Sequence, residues 1–533
     1  MLNMNHLSKS IADRNLFHLD HLSISDQDKV GLIGNNGAGK TSFLKILAGI
    51  DPDYEGQLEI STELIWLMND ETKDLDFSGE TYSRAQLDPD ESLSPGQYQR
   101  LKLTSLLKDQ EAFLLIDEPT SHLDIDQKEK LASRLKARKK GYVMVSHDRD
   151  FINKTCNKIM ELSAGKFELY NGNYQFYLEE RLRRQKFKKR EYDKYVKEKT
   201  RLENLTQEIE DQSANVRKTP NRMGNSEARL HKMGGQQNKK KLDKQAKAVQ
   251  SRLNQLDVKE KPEKDQDIQL TIPEQDKIQS KTLIKSQELT KRFGQKVIFD
   301  QAKLEIANGR KWALIGDNGS GKTSLLQMIL NKEVYVHPKL KIGYYSQLTS
   351  TLDLEKSVLA NVEETSIYDE TLTRIILARL TFKGDQVSKK VANLSDGEKA
   401  KVKLAKLVTG DFNFLMMDEP CNYLDIGTIE ALESLLVNYD RPLLFVSHDV
   451  SFINKVATDL LLIEDQKIKT FPGNLAQYQK EKQKPSPDDE SDLRLDFRLT
   501  SINNRLAAME LTSEEREELE KEFDRLMELK RSR

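Results

Sequence analysis

Residues 34–41 read GNNGAGKT and residues 316–323 read GDNGSGKT, two copies of the pattern G-x-x-x-x-G-K-[ST]. Glycine at that spacing lets backbone N–H groups turn inward around a phosphate at the start of a helix. The predicted cradle is Gly34, Asn35, Asn36, Gly37, Ala38 and Gly39 in the first copy. In the second it is Gly316, Asp317, Asn318, Gly319, Ser320 and Gly321. Lys40 and Lys322 each add a point charge for β- and γ-phosphates, and Thr41 and Thr323 each offer a hydroxyl to Mg²⁺. The expected ligands are therefore ATP and Mg²⁺.

Two further groups of residues also occur twice. The apolar runs FLLID and FLMMD end on Asp117 and Asp418, where a carboxylate can serve Mg²⁺. Glu118 and Glu419 come next, placed to polarise an attacking water. Downstream, YVMVSHD and LLFVSHD put His147 and His448 after another apolar run, where an imidazole can contact a γ-phosphate and sense its loss. Hydrolysis of ATP is the chemistry these residues suit.

Strands and helices must position them. A β-rich run (DKVGLIG, RKWALIG) enters each Gly-rich loop, and a helical pattern (TSFLKILAG, TSLLQMIL) leaves it. The apolar runs suit buried parallel strands whose C-terminal ends line a ligand crevice, so each copy is predicted to be α/β. LSPGQ at 93–97 matches LSDGE at 394–398. Ser94 to Ser395, Glu118 to Glu419 and His147 to His448 are offset by 301, whereas Lys40 to Lys322 is offset by 282. One domain is therefore duplicated, with 19 extra residues between the first and second motifs of the later copy.

The 533 residues leave room for two or three domains at ~150 residues each. With 32% charged residues and a mean hydropathy of -0.69, the chain is expected to be soluble. No window approaches the ~20 apolar residues of a membrane helix, and MLNMNHLSKSIADRN lacks an apolar signal core. A cytoplasmic location is expected. Two cysteines, Cys156 and Cys421, cannot build a disulfide framework or a zinc site. The net charge of -1 conceals an asymmetry: residues 181–260 hold 23 Lys/Arg against 11 Asp/Glu, a surplus of 12 that leaves -13 elsewhere. A basic block in an acidic protein points to a polyanionic partner.

The phosphate loops, the LSxGQ/E strings, the Asp-Glu pairs, the following Leu-Asp (Asp124, Asp425) and the two histidines together resemble the ABC ATPase family over about 400 residues. The resemblance implies a head-to-tail pairing in which each LSxGQ/E segment caps the other copy's nucleotide. Ser395 and Gly397 would then complete the Lys40 site, and Ser94 and Gly96 the Lys322 site. It also implies that Gln347 serves nucleotide and metal and that Phe293 stacks on adenine. The first copy departs from this pattern, with Met68 near the glutamine position, Ile11 near the aromatic one, and Pro95 removing a backbone N–H from its signature. Unequal hydrolysis at the two sites is expected.

Between the copies, Tyr195, Leu202, Leu205 and Ile209, then Leu242, Ala246, Val249, Leu253 and Leu256, fall at helical spacing. Pro220, Gly224, Gly234 and Gly235 interrupt the segment between them. The prediction is a long antiparallel helical hairpin with an irregular basic tip at about 213–237. In that tip Arg217, Lys218, Arg222, Arg229, His231 and Lys232 are the candidate RNA contacts. Such a linker without membrane helices looks like the ABC-F group of translation factors. A short first domain and a helical extension (Leu493–Leu506 and, after Thr512-Ser513-Glu514-Glu515, Leu519–Leu529) resemble its antibiotic-resistance branch, the lincosamide, streptogramin A and pleuromutilin subgroup.

The expected layout is an ABC ATPase domain over 1–175, the hairpin over 176–262, a second ABC domain over 263–480 and the extension over 481–533. The resemblance implies as partners the bacterial ribosome, with its 23S rRNA and P-site tRNA, and neither membrane nor DNA. It also implies a monomer whose two ATPase domains pair. Drug displacement from the peptidyl-transferase region is the expected function. The rivals are a housekeeping factor of the same family, an exporter's ATPase subunit and a DNA-associated ABC ATPase.

Overall fold

A computed structural model of the chain describes residues 1–11, 14–67, 79–85, 95–106, 111–121, 123–215, 225–259, 278–346, 352–482, 498–502, 506, 516 and 520–527. It divides into two compact units, Met1–Thr120 with Leu131–Ile268, and Ser121–Lys130 with Gln269–Arg533.

In chain order the first elements are β1 (Leu2–Ile11), β2 (Arg14–Ile24), β3 (Lys29–Gly34), α1 (Lys40–Leu47), β4 (Glu55–Ile60) and β5 (Leu64–Leu67). Then come α2 (Gly79–Ala85), α3 (Pro95–Leu106), β6 (Phe113–Asp117), α4 (Ile125–Ala137), β7 (Tyr142–Val145), α5 (Arg149–Thr155), β8 (Lys158–Ser163) and β9 (Lys166–Tyr170). The strands form one sheet in the order β4-β1-β2-β9-β8-β3-β7-β6-β5. From β5 to β8 the pairing is parallel, and β7 lies between β3 and β6. Neighbouring strand ends therefore bring loop 34–41, Asp117 and His147 to one edge. Val30, Leu32, Leu115, Val143 and Val145 of these strands pack with Phe43, Leu44 and Leu47 of α1, and burying each such side chain contributes about 1.5–3 kcal/mol.

Two long helices follow, α6 (Tyr174–Ala214) and α7 (Asn225–Asn254), joined across their faces by Ser213 Oγ donating to Asp243 Oδ1 at 2.6 Å. Asn173 caps α6 by accepting from Phe176 N. Leu202 is buried and Tyr195 and Ile209 are half-buried, whereas Leu205 of the predicted stripe is exposed. Leu242, Ala246, Val249, Leu253 and Leu256 are all half-buried. The irregular tip expected at 213–237 is shorter than predicted, because α7 already begins at Asn225 and runs through Gly234 and Gly235. Each glycine costs a helix about 1 kcal/mol relative to alanine, and a helix of 30 residues with Glu, Ala, Leu, Gln and Lys on both sides absorbs that.

The second unit contains β10 (Thr282–Phe293), β11 (Lys296–Ala307), β12 (Lys311–Ile315), α8 (Lys322–Leu330), β13 (Tyr335–Val336) and β14 (Ile342–Tyr345). It continues with α9 (Val358–Glu363), α10 (Glu370–Arg379), α11 (Asp396–Thr409), β15 (Phe414–Asp418), α12 (Ile426–Val437) and β16 (Leu443–Val446). It ends with α13 (Val450–Val456), β17 (Asp459–Glu464), β18 (Lys467–Pro472) and α14 (Leu475–Lys482). The main sheet runs β14-β15-β16-β12-β17-β18, and β10, β11 and β13 form a separate one. β16 lies between β12 and β15, so the first unit's arrangement of strand ends is repeated. Between α8 and α11 stand α9, α10 and two 3-10 turns, the interval that carries the later copy's extra residues. The described residues of the extension are helical, Leu499 and Ile502 are buried, and Arg498 pairs with Glu522 at 3.0 Å.

Candidate active site

The phosphate loops are held from beneath and left open above. Gly34 has φ +155°, and a Cβ there would stand 2.5 Å from the Leu162 carbonyl oxygen. Ala38 N donates to Asn35 O at 3.2 Å and Ser320 N to Asp317 O at 3.1 Å, which closes each turn. Gly39 and Gly321 cap α1 and α8 without any side-chain bond, and the start of a helix turns its N–H groups toward an anion.

Lys40 Nζ donates to the carbonyls of Gly34 (2.7 Å) and Asn35 (3.0 Å), and Lys322 Nζ to those of Gly316 (2.8 Å) and Asp317 (2.9 Å). Both lysines are buried, and burial lowers the pKa of Lys322. Carboxylates nearby act on both ammonium groups, Asp117 and Glu118 on Lys40 and Glu419 and Asp418 on Lys322, so the cations stand beside the acids of the same site. Ser320 Oγ is buried in the same loop with no hydrogen-bond partner among the described residues, which fits a phosphate oxygen, and Ala38 offers no such group in the first copy. Thr41 Oγ1 donates to Asp117 Oδ2 at 2.9 Å and Thr323 Oγ1 to Asp418 Oδ2 at 3.0 Å. A hydroxyl and a carboxylate are the hard oxygen donors that suit Mg²⁺. The residues fit ATP and its metal ion.

Glu118 and Glu419 follow the strand ends with φ +47° and +51°, a left-handed conformation that non-glycine residues rarely hold. Glu118 N donates to Val145 O at 2.9 Å and Glu419 N to Val446 O at 3.0 Å, so the sheet imposes the turn. Burial pushes the Glu118 carboxyl up to about 8 and the Glu419 carboxyl to about 7, with the adjacent Asp117 and Asp418 acting in the same direction. His147 Nε2 stands 3.5 Å from Glu118 Oε1, and His448 Nε2 3.4 Å from Glu419 Oε1. Burial drives the His448 pKa down to about 3, so at neutral pH its contact with Glu419 is not an ion pair. Both separations exceed an ordinary hydrogen bond and leave room for the site to tighten around a ligand.

The residues flanking each histidine are structural. Asp148 and Asp449 cap α5 and α13 by accepting from Phe151 N and Phe452 N, and Ser146 Oγ and Ser447 Oγ accept from Asp148 N and Asp449 N. A general base must be ionised, so ATP turnover is expected to rise with pH and level off above 8. A kcat/KM profile flat between pH 6 and 9 would remove the two glutamates from that role.

Ser395 caps α11 in a capping box with Glu398, its Oγ accepting from Glu398 N at 3.3 Å and donating to Glu398 Oε2 at 2.8 Å. Gly397 lies in the first turn of α11 and Gly96 in that of α3, where Pro95 takes the first helical position. Ser94, Met68 and Gln347 lie outside the described residues. Ile11 and Phe293 end equivalent strands and are 55% and 57% exposed, so a base would meet an aromatic ring in the second unit and an aliphatic side chain in the first.

One interaction escaped the sequence reading. Asp425 caps α12 and pairs at 3.0 Å with Lys401 of α11; burial opposes its charge, but the Lys401 ammonium holds its pKa below the usual value. The signal was a lysine on the buried stripe Lys401, Leu404, Ala405 and Val408. Asp425→Ala strands that lysine in the core and should cost about 3–5 kcal/mol in urea unfolding, and a loss under about 1 kcal/mol would contradict the pairing.

A phosphate loop, a strand-end Asp-Glu pair and a switch-type histidine, assembled twice on parallel sheets, define a twin-cassette ABC ATPase. The ABC transporter family matches residues 18–78 and 299–422. The chain is 28% identical to the ribosome protection protein VmlR of Bacillus subtilis (strain 168), across 99% of this chain and 97% of that protein. It is 27% identical to the energy-dependent translational throttle protein EttA of Haemophilus influenzae, across 88% and 92%. The solved structure of RNase-L Inhibitor shares the fold, with a TM-score of 0.56 at 18% identity over 87% of this chain and 90% of that one. The chain is an ATP-hydrolysing enzyme of the ABC ATPase fold, and it is similar over most of its length to ABC-F proteins, among them ABC transporter F family member 5 of Arabidopsis thaliana at 27% identity, across 85% of this chain and 73% of that protein. Among the described residues no helix is long and apolar enough to cross a membrane.

Proposed function

We propose that this chain is an ABC-F protein and acts as a cytoplasmic ribosome-protection factor. ATP draws the two cassettes together, with Ser395 and Gly397 completing the Lys40 site and Ser94 and Gly96 the Lys322 site. The closed form docks on the bacterial ribosome, and the tip of the hairpin perturbs 23S rRNA at the drug site until the antibiotic leaves. Glu118 and Glu419 take the proton of the attacking water, His147 and His448 hold the γ-phosphate side, and hydrolysis releases the protein. Mg²⁺, held by Thr41 with Asp117 and by Thr323 with Asp418, would neutralise charge on the β- and γ-phosphates.

The observation that carries an RNA partner is a stripe on α6. Arg183, Lys186, Arg190, Lys194, Lys197 and Arg201 recur at helical spacing, all exposed, over about 27 Å at 1.5 Å per residue. Lys186, Arg190 and Lys197 have no carboxylate partner among the described residues, and Phe187 within the stripe is 63% exposed. Cations with an interleaved ring suit phosphates and unstacked bases. Of the tip residues, Arg217, Lys218 and Arg222 lie outside the described residues, and Arg229, His231 and Lys232 lie on α7.

The match to VmlR supports the protective branch over the housekeeping one, which the match to EttA keeps as the rival. Expression in a susceptible bacterium separates them. Protection raises tolerance to lincosamides, streptogramin A or pleuromutilins, and a housekeeping factor leaves it unchanged. An exporter subunit would instead fractionate with membranes, and a DNA-associated ATPase would lose its partner on DNase treatment.

A further inference from the structure

Strand β11 runs beside the second phosphate loop, and alternate residues on it meet alternate glycines. A Cβ on Gly321 would stand 2.3 Å from Ile298 Cγ2, and one on Gly319 would stand 3.7 Å from Lys296 Nζ. Residues two apart on a strand share a face, so the register that packs Ile298 against the loop also aims Lys296 at it. Lys296 pairs across the hairpin with Phe293 and has no carboxylate partner among the described residues. Its ammonium therefore stands at the outer lip of the loop, on the side of the exposed ring, while Lys322 lies inside on the carbonyls of Gly316 and Asp317.

The first copy repeats the strand register. Arg14 pairs with Ile11 as Lys296 pairs with Phe293, and Phe17 Cδ1 packs 3.1 Å from the Cβ position of Gly39. The ring is absent there but a cationic residue type remains.

We propose that Lys296 is a second phosphate-binding cation of this nucleotide site, engaging the phosphate nearest the base. The inference rests on loop 316–323 being the nucleotide site and Phe293 its base platform. Placed on the base side, Lys296 contributes equally to ATP and ADP and nothing to adenosine.

The test is nucleotide titration of the full chain, with the first loop silenced by Lys40→Ala. Lys296→Met keeps the length of the side chain and removes its charge. It is expected to weaken ADP and ATP alike by about five- to tenfold, as loss of one partly exposed charge-assisted contact should. Adenosine affinity should stay the same, and Lys296→Arg should restore the parent value. Undiminished ADP affinity in Lys296→Met, or an equal loss for adenosine, overturns the proposal. Lys322→Ala is run in parallel. If it weakens ADP while Lys296→Met does not, only this proposal fails, and if neither does, the loop is not the nucleotide site and the underlying reading fails with it.

Discussion

Replacing Glu118 and Glu419 together by glutamine is expected to lower ATP turnover by about two to four orders of magnitude and to hold the protein in its ATP-bound form. Glutamine fills the same space and can keep the contact with the neighbouring histidine, but it cannot accept the proton of the attacking water. Binding should survive, because Lys40, Lys322 and the loop N–H groups are untouched. The double variant should therefore sediment with ribosomes when ATP is present. Free sedimentation under those conditions would refute docking while leaving the ATPase intact. The single variants carry a second readout. The cassettes differ at Phe293 against Ile11 and at Ser320 against Ala38, so Glu118→Gln and Glu419→Gln should differ in residual turnover.

Changing Arg217, Lys218, Arg222, Arg229, His231 and Lys232 together to alanine is expected to abolish drug tolerance in a susceptible host while basal ATP turnover persists. These residues belong to the interval between the two cassettes, and none contributes to a phosphate loop or a strand-end carboxylate. In the glutamine-trapped background the variant should still sediment with ribosomes, more weakly, since the α6 stripe remains. The salt dependence of that binding should flatten by about 0.7 to 0.9 in log–log slope for every phosphate contact removed. Tolerance equal to the parent's would mean that some other part of the chain acts on the drug.

The fold class could be read from the residues because each motif must sit at the end of a strand. FLLID, YVMV and KVGLI are continuous apolar runs, and such runs become buried parallel strands whichever copy they occur in. The hairpin was harder to delimit. Gly234 and Gly235 look like breakers in a string of letters, yet a long helix absorbs their cost, and single-sequence reading does not weigh a local penalty against the remainder of an element. Lys401 and Lys296 were missed for another reason. A lysine in a charged sequence is usually solvated, and only strand register or helix phase shows that one meets Asp425 and the other a phosphate loop.

At Glu118 and Glu419 the backbone adopts a geometry that glycine would accept freely and that costs another residue about 1–3 kcal/mol. Both halves of this chain hold an acid in that strained turn, so exchange for glycine in either half should firm the fold while it removes the carboxylate.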